Sequence, residues 1–273
     1  MISRPRGLSP AACAIAVAVF VTACTPARIG LPSGAGAPFP EFATAYRSAT
    51  AACADVKTMT ASIALAGRAG KTKLRGRIDA GLADGQIRLE GFPPLMFGAG
   101  PYFILAARGA EATLLLPRAG RVLRGARPAA IVQALAGVAL EPNELRGILS
   151  GCGLGIVQPS GGRQFPNLWA AIDAGPITVF LRQLEGVWRI VAVTRPGLTI
   201  EYSGFQSERP TTVRVMSTAA ASDAATDLRL VLSQVETNTD LDRKVFEIEI
   251  PRDAAPITLE ELRKMGPLGG GAS

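Results

Sequence analysis

The 273-residue chain contains no histidine. That absence removes the commonest general base and the commonest metal ligand together. A Ser-His-Asp or Cys-His site is excluded, and no motif selects the Ser-Lys or paired-carboxylate alternatives. The expectation is a protein that is not an enzyme, with no catalytic residue, no cofactor and no metal. Aromatic residues make up only 5% of the chain. Nucleic-acid readers usually combine a basic stripe with stacking aromatics, so no nucleic-acid partner is expected. The formal charge is +7, spread along the chain with one local cluster at Lys71, Lys73, Arg75 and Arg77. That cluster reads as a solvated strand face, with mild attraction to anionic lipid as an extra. Past the N-terminus, no apolar run approaches the ~20 residues needed to cross a bilayer as a helix.

Cysteine is scarce too, with four in all, and their positions carry most of the information. Met1–Ala23 has the layout of a secretory signal: Arg4 and Arg6 in front, then the apolar run Ala11–Val21 with Cys13 inside it. Val21-Thr22-Ala23-Cys24 resembles the lipobox of bacterial lipoproteins, where small residues let the peptidase approach and the thiol takes a diacylglyceryl group. Cys24 is therefore the expected lipidation site and membrane anchor, the alternative being an ordinary secretory peptide. Two or more acyl chains give stable attachment. Thr25 stands where lipoproteins retained in the inner membrane often carry Asp, which by resemblance favours the outer membrane, with the domain facing the periplasm. Cleavage leaves 250 of the 273 residues with a charge of +5, enough for one well-buried domain. Cys53 and Cys152 remain. In an oxidising compartment they form a natural pair, closing a 99-residue loop; two buried free thiols are the other reading.

Residues 24–40, rich in Pro, Gly, Ala and Ser, read as a flexible tether. Glu41–Val56 reads as an amphipathic helix with Phe42, Ala45, Tyr46, Ala49, Cys53 and Val56 on one face. From Lys57 the period becomes two. Met59–Leu65 places Met59, Ile63 and Leu65 on one side. Lys71–Asp79 places charges at every odd position, with Leu74 and Ile78 opposite. Gly67–Gly70 reads as the turn between them, and Asp84-Gly85 as the next. Gln86–Glu90, Tyr102–Ala107, Ala112–Leu116 and Arg121–Arg124 follow as short strands.

Two helices then interrupt the pattern. Pro128 opens one with Ile131, Val132, Leu135 and Ala136 on its apolar face. Pro142 opens another with Leu145, Ile148 and Leu149, and Gly151 ends it. Strands resume at Leu168–Ala174, Ile177–Leu184, Val187–Thr194, Leu198–Phe205, Thr212–Ser217, Asp227–Val235 and Val245–Ile250. A short helix, Thr258–Lys264, precedes a Gly-rich frayed tail. The fold class is mainly β (α+β): one domain over residues 41–256 with a curved antiparallel sheet, followed by a terminal helix and disordered tail over 257–273.

This order resembles the LolA/LolB family of periplasmic lipoprotein carriers. Two segments strengthen the likeness: Leu232–Asp242 leading into Val245–Pro251, and Ile87–Leu95 with its Gly91. The resemblance implies an incomplete β-barrel covered by the N-terminal helix and a mid-chain helical lid, with Ile131, Leu135, Leu145, Ile148 and Leu149 as lid residues. It also implies acyl chains of lipids or lipoproteins as ligands. Independently, small wall residues such as Ala61, Ala64 and Ala66 would leave room in the middle of such a sheet; a sheet packed solidly on its helices is the alternative. Gly91–Phe103 contains no charge, yet Phe92, Leu95, Met96, Phe97 and Phe103 are large and apolar. These five are the candidates for acyl-chain or membrane contact, against a loop folded back on the core. The first reading is an outer-membrane lipoprotein that binds acyl chains, in lipoprotein or lipid transport. The second is a structural or interaction lipoprotein with a partner in an envelope complex.

Overall fold

Alternating apolar residues need a partner surface, and nearly every strand of this chain finds one in its sequence neighbour. A computed structural model describes residues 28–94, 100–218 and 225–267. The chain divides into two units, Met1–Gly30 and Leu31–Ser273, and the second holds every described strand and helix. The signal segment, Cys24 and the trio Leu95, Met96 and Phe97 lie outside the described residues.

Strand β1 (Ala37–Pro38) precedes helix α1 (Phe42–Ala54). A first meander follows: β2 (Met59–Ala69), β3 (Thr72–Ala83), β4 (Gln86–Phe92), β5 (Phe103–Arg108), β6 (Glu111–Leu116) and β7 (Arg121–Ala126). Helices α2 (Pro128–Ala136) and α3 (Pro142–Ser150) come next. The second meander is β8 (Gly161–Phe165), β9 (Trp169–Ala174), β10 (Ile177–Leu184), β11 (Val187–Arg195), β12 (Leu198–Gln206), β13 (Arg209–Ser217) and β14 (Thr226–Thr237). Strand β15 (Ala255–Pro256) and helix α4 (Leu259–Met265) end the described chain.

Among the described residues these strands form one unclosed, curved sheet of fifteen in the order β1-β8-β9-β10-β11-β12-β13-β14-β2-β3-β4-β5-β6-β7-β15. The two meanders join where β14 pairs antiparallel with β2, Leu230 opposite Leu65. The ladders are antiparallel except the short β15–β7 pair. Both the incomplete barrel and its helical cover thus match the expected architecture.

The period-two reading assigns faces correctly. Met59, Ala61, Ile63 and Leu65 of β2 are buried, as are Leu74, Ala80 and Leu82 of β3, while Lys73, Arg75 and Arg77 stand exposed on the opposite side. Both lid helices start as their prolines suggest, with Pro in the first turn, and end at glycines in the left-handed conformation, Gly137 and Gly151. Helix α3 adds a capping box between Glu141 and Glu144, and α4 another between Thr258 and Glu261, each satisfying helix-end N–H groups that would otherwise lack a partner.

Three expectations need correction. Ala37 and Pro38 are part of the sheet, not tether: they pair with Gln164 and Arg163, and the adjoining Phe39 is buried with its ring 5.6 Å from Trp188. Composition suggested a tether, but burying a Phe side chain contributes about 1.5–3 kcal/mol, enough to dock its neighbours. The β2–β3 turn is shorter than Gly67–Gly70, because β2 runs on to Ala69 opposite Thr72.

The third concerns Val245–Ile250, which forms no strand. Asp242 caps a 3-10 turn over Arg243–Phe246 by accepting from Lys244 N, and Phe246 is buried. The Arg88 guanidinium donates to the carbonyls of Val245 (3.1 Å) and Glu247 (2.7 Å). With β13 on one side of β14 and β2 on the other, no edge is left there for another strand.

Candidate functional site

The inner face of the sheet and the two lid helices enclose a cavity of about 90 Å³. Alternation on the strands sends Ile63, Leu65, Ile78, Leu89, Phe103, Leu105, Val215, Leu228 and Leu230 into it from one side. Val132, Leu135, Ala136, Val138, Leu140, Leu145, Ile148 and Leu149 close it from the other. No polar atom faces the space. It therefore offers nothing to a charged group and everything to hydrocarbon, since unpaired polar groups would lose their hydration inside. A larger open hollow of about 900 Å³ lies on the outer face, where four of its charged groups pair with one another, Arg77 with Asp79 at 3.1 Å and Arg88 with Glu90 at 2.6 Å.

The candidate residues divide sharply. Leu135, Leu145, Ile148 and Leu149 line the cavity as lid residues, whereas Ile131, fully buried, packs into the core beside it. Phe103 lines the cavity and is 2% exposed, so it is a wall residue and not part of an exposed tip. Phe92 points to the outer face, where the Arg77 guanidinium sits 4.4 Å above its ring. Sequence reasoning missed Val138 and Leu140, which follow α2 in the link to α3; no periodicity marks a residue in a link.

The two lid helices are held differently. The structure joins Cys152, just beyond α3, to Cys53 of α1, with Cα atoms 5.6 Å apart. The Tyr202 hydroxyl, buried, donates to Ile148 O (3.1 Å) and accepts from Gly153 N (3.0 Å). Burial pushes that phenol well above its ordinary value, the Gly153 hydrogen bond offsetting a part. Asn143 Oδ1 accepts from Gly85 N at 2.8 Å. Arg146 donates to Val56 O and Lys57 O and pairs with Asp84 at 3.2 Å, and Arg195 pairs with Glu144.

Helix α2 has only long contacts with the sheet at its C-terminal end among the described residues, Thr226 Oγ1 to Ala136 O (3.4 Å) and Ser217 Oγ to Gly137 O (3.5 Å). Its remaining hold is apolar, through Ile131, Val132 and Leu135 and against α4. Apolar contacts are non-directional, so α2 is tied to the sheet by fewer directed bonds than α3.

No family model matches the chain, and no curated protein matches it. Among solved structures, a LolA superfamily protein from Nitrosomonas europaea superposes with a TM-score of 0.50 at 11% identity, over 76% of this chain and 97% of that one. A DUF1329 family protein from Desulfovibrio piger gives 0.48 at 10% identity over 76% and 97%. The lipoprotein LppX of Mycobacterium tuberculosis gives 0.32 at 9% over 74% and 99%. The first of these superposes at a level that shows a shared fold, and this chain therefore has the LolA-like fold.

Proposed function

We propose that this chain is a lipid-anchored envelope protein that holds acyl chains between the inner face of its sheet and the α2–α3 lid. The observation that carries the reading is a cavity lined wholly by apolar atoms beneath a lid with one firmly held and one loosely held helix. Binding is partition and involves no chemistry. Ligand sites span roughly 300–1,000 Å³, so the space of about 90 Å³ is the closed state. Displacing α2 exposes Ile131, Val132 and Leu135, roughly 4.5–9 kcal/mol together, while about fifteen methylenes of an acyl chain taken from water return about 12 kcal/mol. Hydrocarbon wins that comparison.

Among the described residues no helix is long and apolar enough to cross a membrane. In this reading the anchor is acylated Cys24, in the outer membrane with the domain in the periplasm, and the cargo is a lipid or the acyl chains of a lipoprotein in transit. Mass spectrometry of the mature N-terminus tests the anchor; an unmodified Cys24 removes it. Titration with a fluorescent fatty acid tests the cavity. The expected result is saturable binding at one site per chain, displaced by unlabelled fatty acid and lost in Leu228→Asp with the fold retained. The small closed volume favours a second reading, an interaction lipoprotein of an envelope complex, and absence of any probe binding would select it.

A further inference from the structure

The outer face of the sheet carries a basic surface that the cavity does not use. Outward residues of β14, β2 and β3 stand in rows: Arg229, Ala66 and Arg75 in one, Asp227, Arg68 and Lys73 in the next. Neighbouring strands lie about 4.8 Å apart, so Arg75 and Arg229 flank a floor made by an exposed alanine. Strand β4 ends at Phe92, opposite Arg77, so Thr72–Gly76 have no β4 partner and the β2–β3 hairpin extends past it.

The charge here is not compensated. Asp227 is held by Arg214 at 2.7 Å and Asp79 by Arg77 at 3.1 Å. Among the described residues no carboxylate pairs with Lys73, Arg75 or Arg229. Val231, opposite Ala64 on the same face, is 36% exposed. Cationic and studded with small and apolar side chains, this face matches an anionic bilayer surface in charge.

We propose that the outer face of the β14–β2–β3 region docks the domain against an anionic lipid surface. Each cation near such a surface contributes enough to change partition about five-fold. The alanine floor lets the flanking cations reach the same plane, where a longer side chain would hold the surface away. The face lies across the sheet from the cavity, so docking leaves the lid clear.

The test is co-sedimentation of the full chain carrying Cys24→Ser, so that no acyl group contributes, with vesicles of phosphatidylglycerol mixed into phosphatidylcholine and with phosphatidylcholine alone. The readout is the ratio of the two partition coefficients. The triple variant Lys73→Gln, Arg75→Gln, Arg229→Gln is expected to lower that ratio about a hundred-fold at low salt, with circular dichroism and fatty-acid binding unchanged. Arg252→Gln with Arg263→Gln, exposed cations elsewhere, is expected to leave it within a few-fold. Equal ratios for the triple variant and the wild type overturn the proposal. So does an equal loss in the control pair, which would make the effect one of net charge.

Discussion

Gly91 and Phe103 face each other across the β4–β5 ladder, and the Phe103 ring occupies the space that a side chain at Gly91 would need. A Cβ there would lie 2.2, 2.6 and 2.9 Å from three atoms of the ring. Gly91→Val should push the ring into the cavity, weakening fatty-acid binding and costing about 1–3 kcal/mol by overpacking. Urea denaturation and probe titration read the two effects. Adding Phe103→Leu should restore most of both; no recovery in the double variant would show that the two residues act separately.

Leu135 is 4% exposed and lines the cavity from the lid. Leu135→Ala removes a plug from a space that ligand must enter. Stability should fall by about 2–5 kcal/mol while affinity for a fatty-acid probe rises, because less lid has to be displaced. A parallel fall in stability and affinity would contradict the closed-lid account.

The Cys53–Cys152 bond closes a separation of 99 residues. Ellman titration of unfolded, unreduced protein should find neither of these thiols free. The Cys53→Ser, Cys152→Ser double variant should lose about 4–5 kcal/mol at most in the chain-entropy account. It should also release the C-terminal end of α3, seen as faster amide hydrogen exchange over Leu145–Ser150 than over α1.

Tyr202 supplies a pH dependence with a definite sign. Its phenol stays protonated in the fold to well above the value near 10 of an unfolded tyrosine. Desolvation also pushes the Tyr102 phenol up, to about 12. Above pH 10 the folded chain therefore holds more protons than the unfolded one, and stability falls as pH rises, by about 1.4 kcal/mol per pH unit for Tyr202. Tyr202→Phe should flatten that slope. At neutral pH it should cost about 1–3 kcal/mol, because Gly153 N loses its partner while Ile148 O keeps its bond from Gly151 N (3.3 Å). Denaturation curves at pH 7, 10 and 11 would decide.

Much of the fold was legible because it is local. Alternation at Met59–Leu65 and Lys71–Asp79 fixes which face is buried, and Pro128 and Pro142 mark their helix starts, since those signals reside in neighbouring residues. The β14–β2 junction was not legible: it pairs Leu230 with Leu65, and nothing in either segment names the other. Val245–Ile250 alternates like a strand but lost its place to β2 and to the Arg88 guanidinium. For the site, apolar periodicity found Leu135, Leu145, Ile148 and Leu149. Phe92, one residue after Gly91 in β4, faces outward and not into the cavity.

If acyl chains bind as proposed, hydrocarbon reaches the hollow only when α2 moves away from the sheet. A Cβ placed on Gly137 would lie 3.7 Å from the Cβ of Thr226, close to the ~3.8 Å typical of a disulfide. The Gly137→Cys, Thr226→Cys double variant, once oxidised, should tie the end of α2 to β14. Gly137→Cys alone carries the left-handed backbone strain without the tie, and Thr226→Cys alone carries the loss of the hydroxyl. When all three are titrated with a fluorescent fatty acid, both single variants should bind and the oxidised double variant should lose affinity at least ten-fold. Equal affinity in all three would contradict a lid that opens through α2.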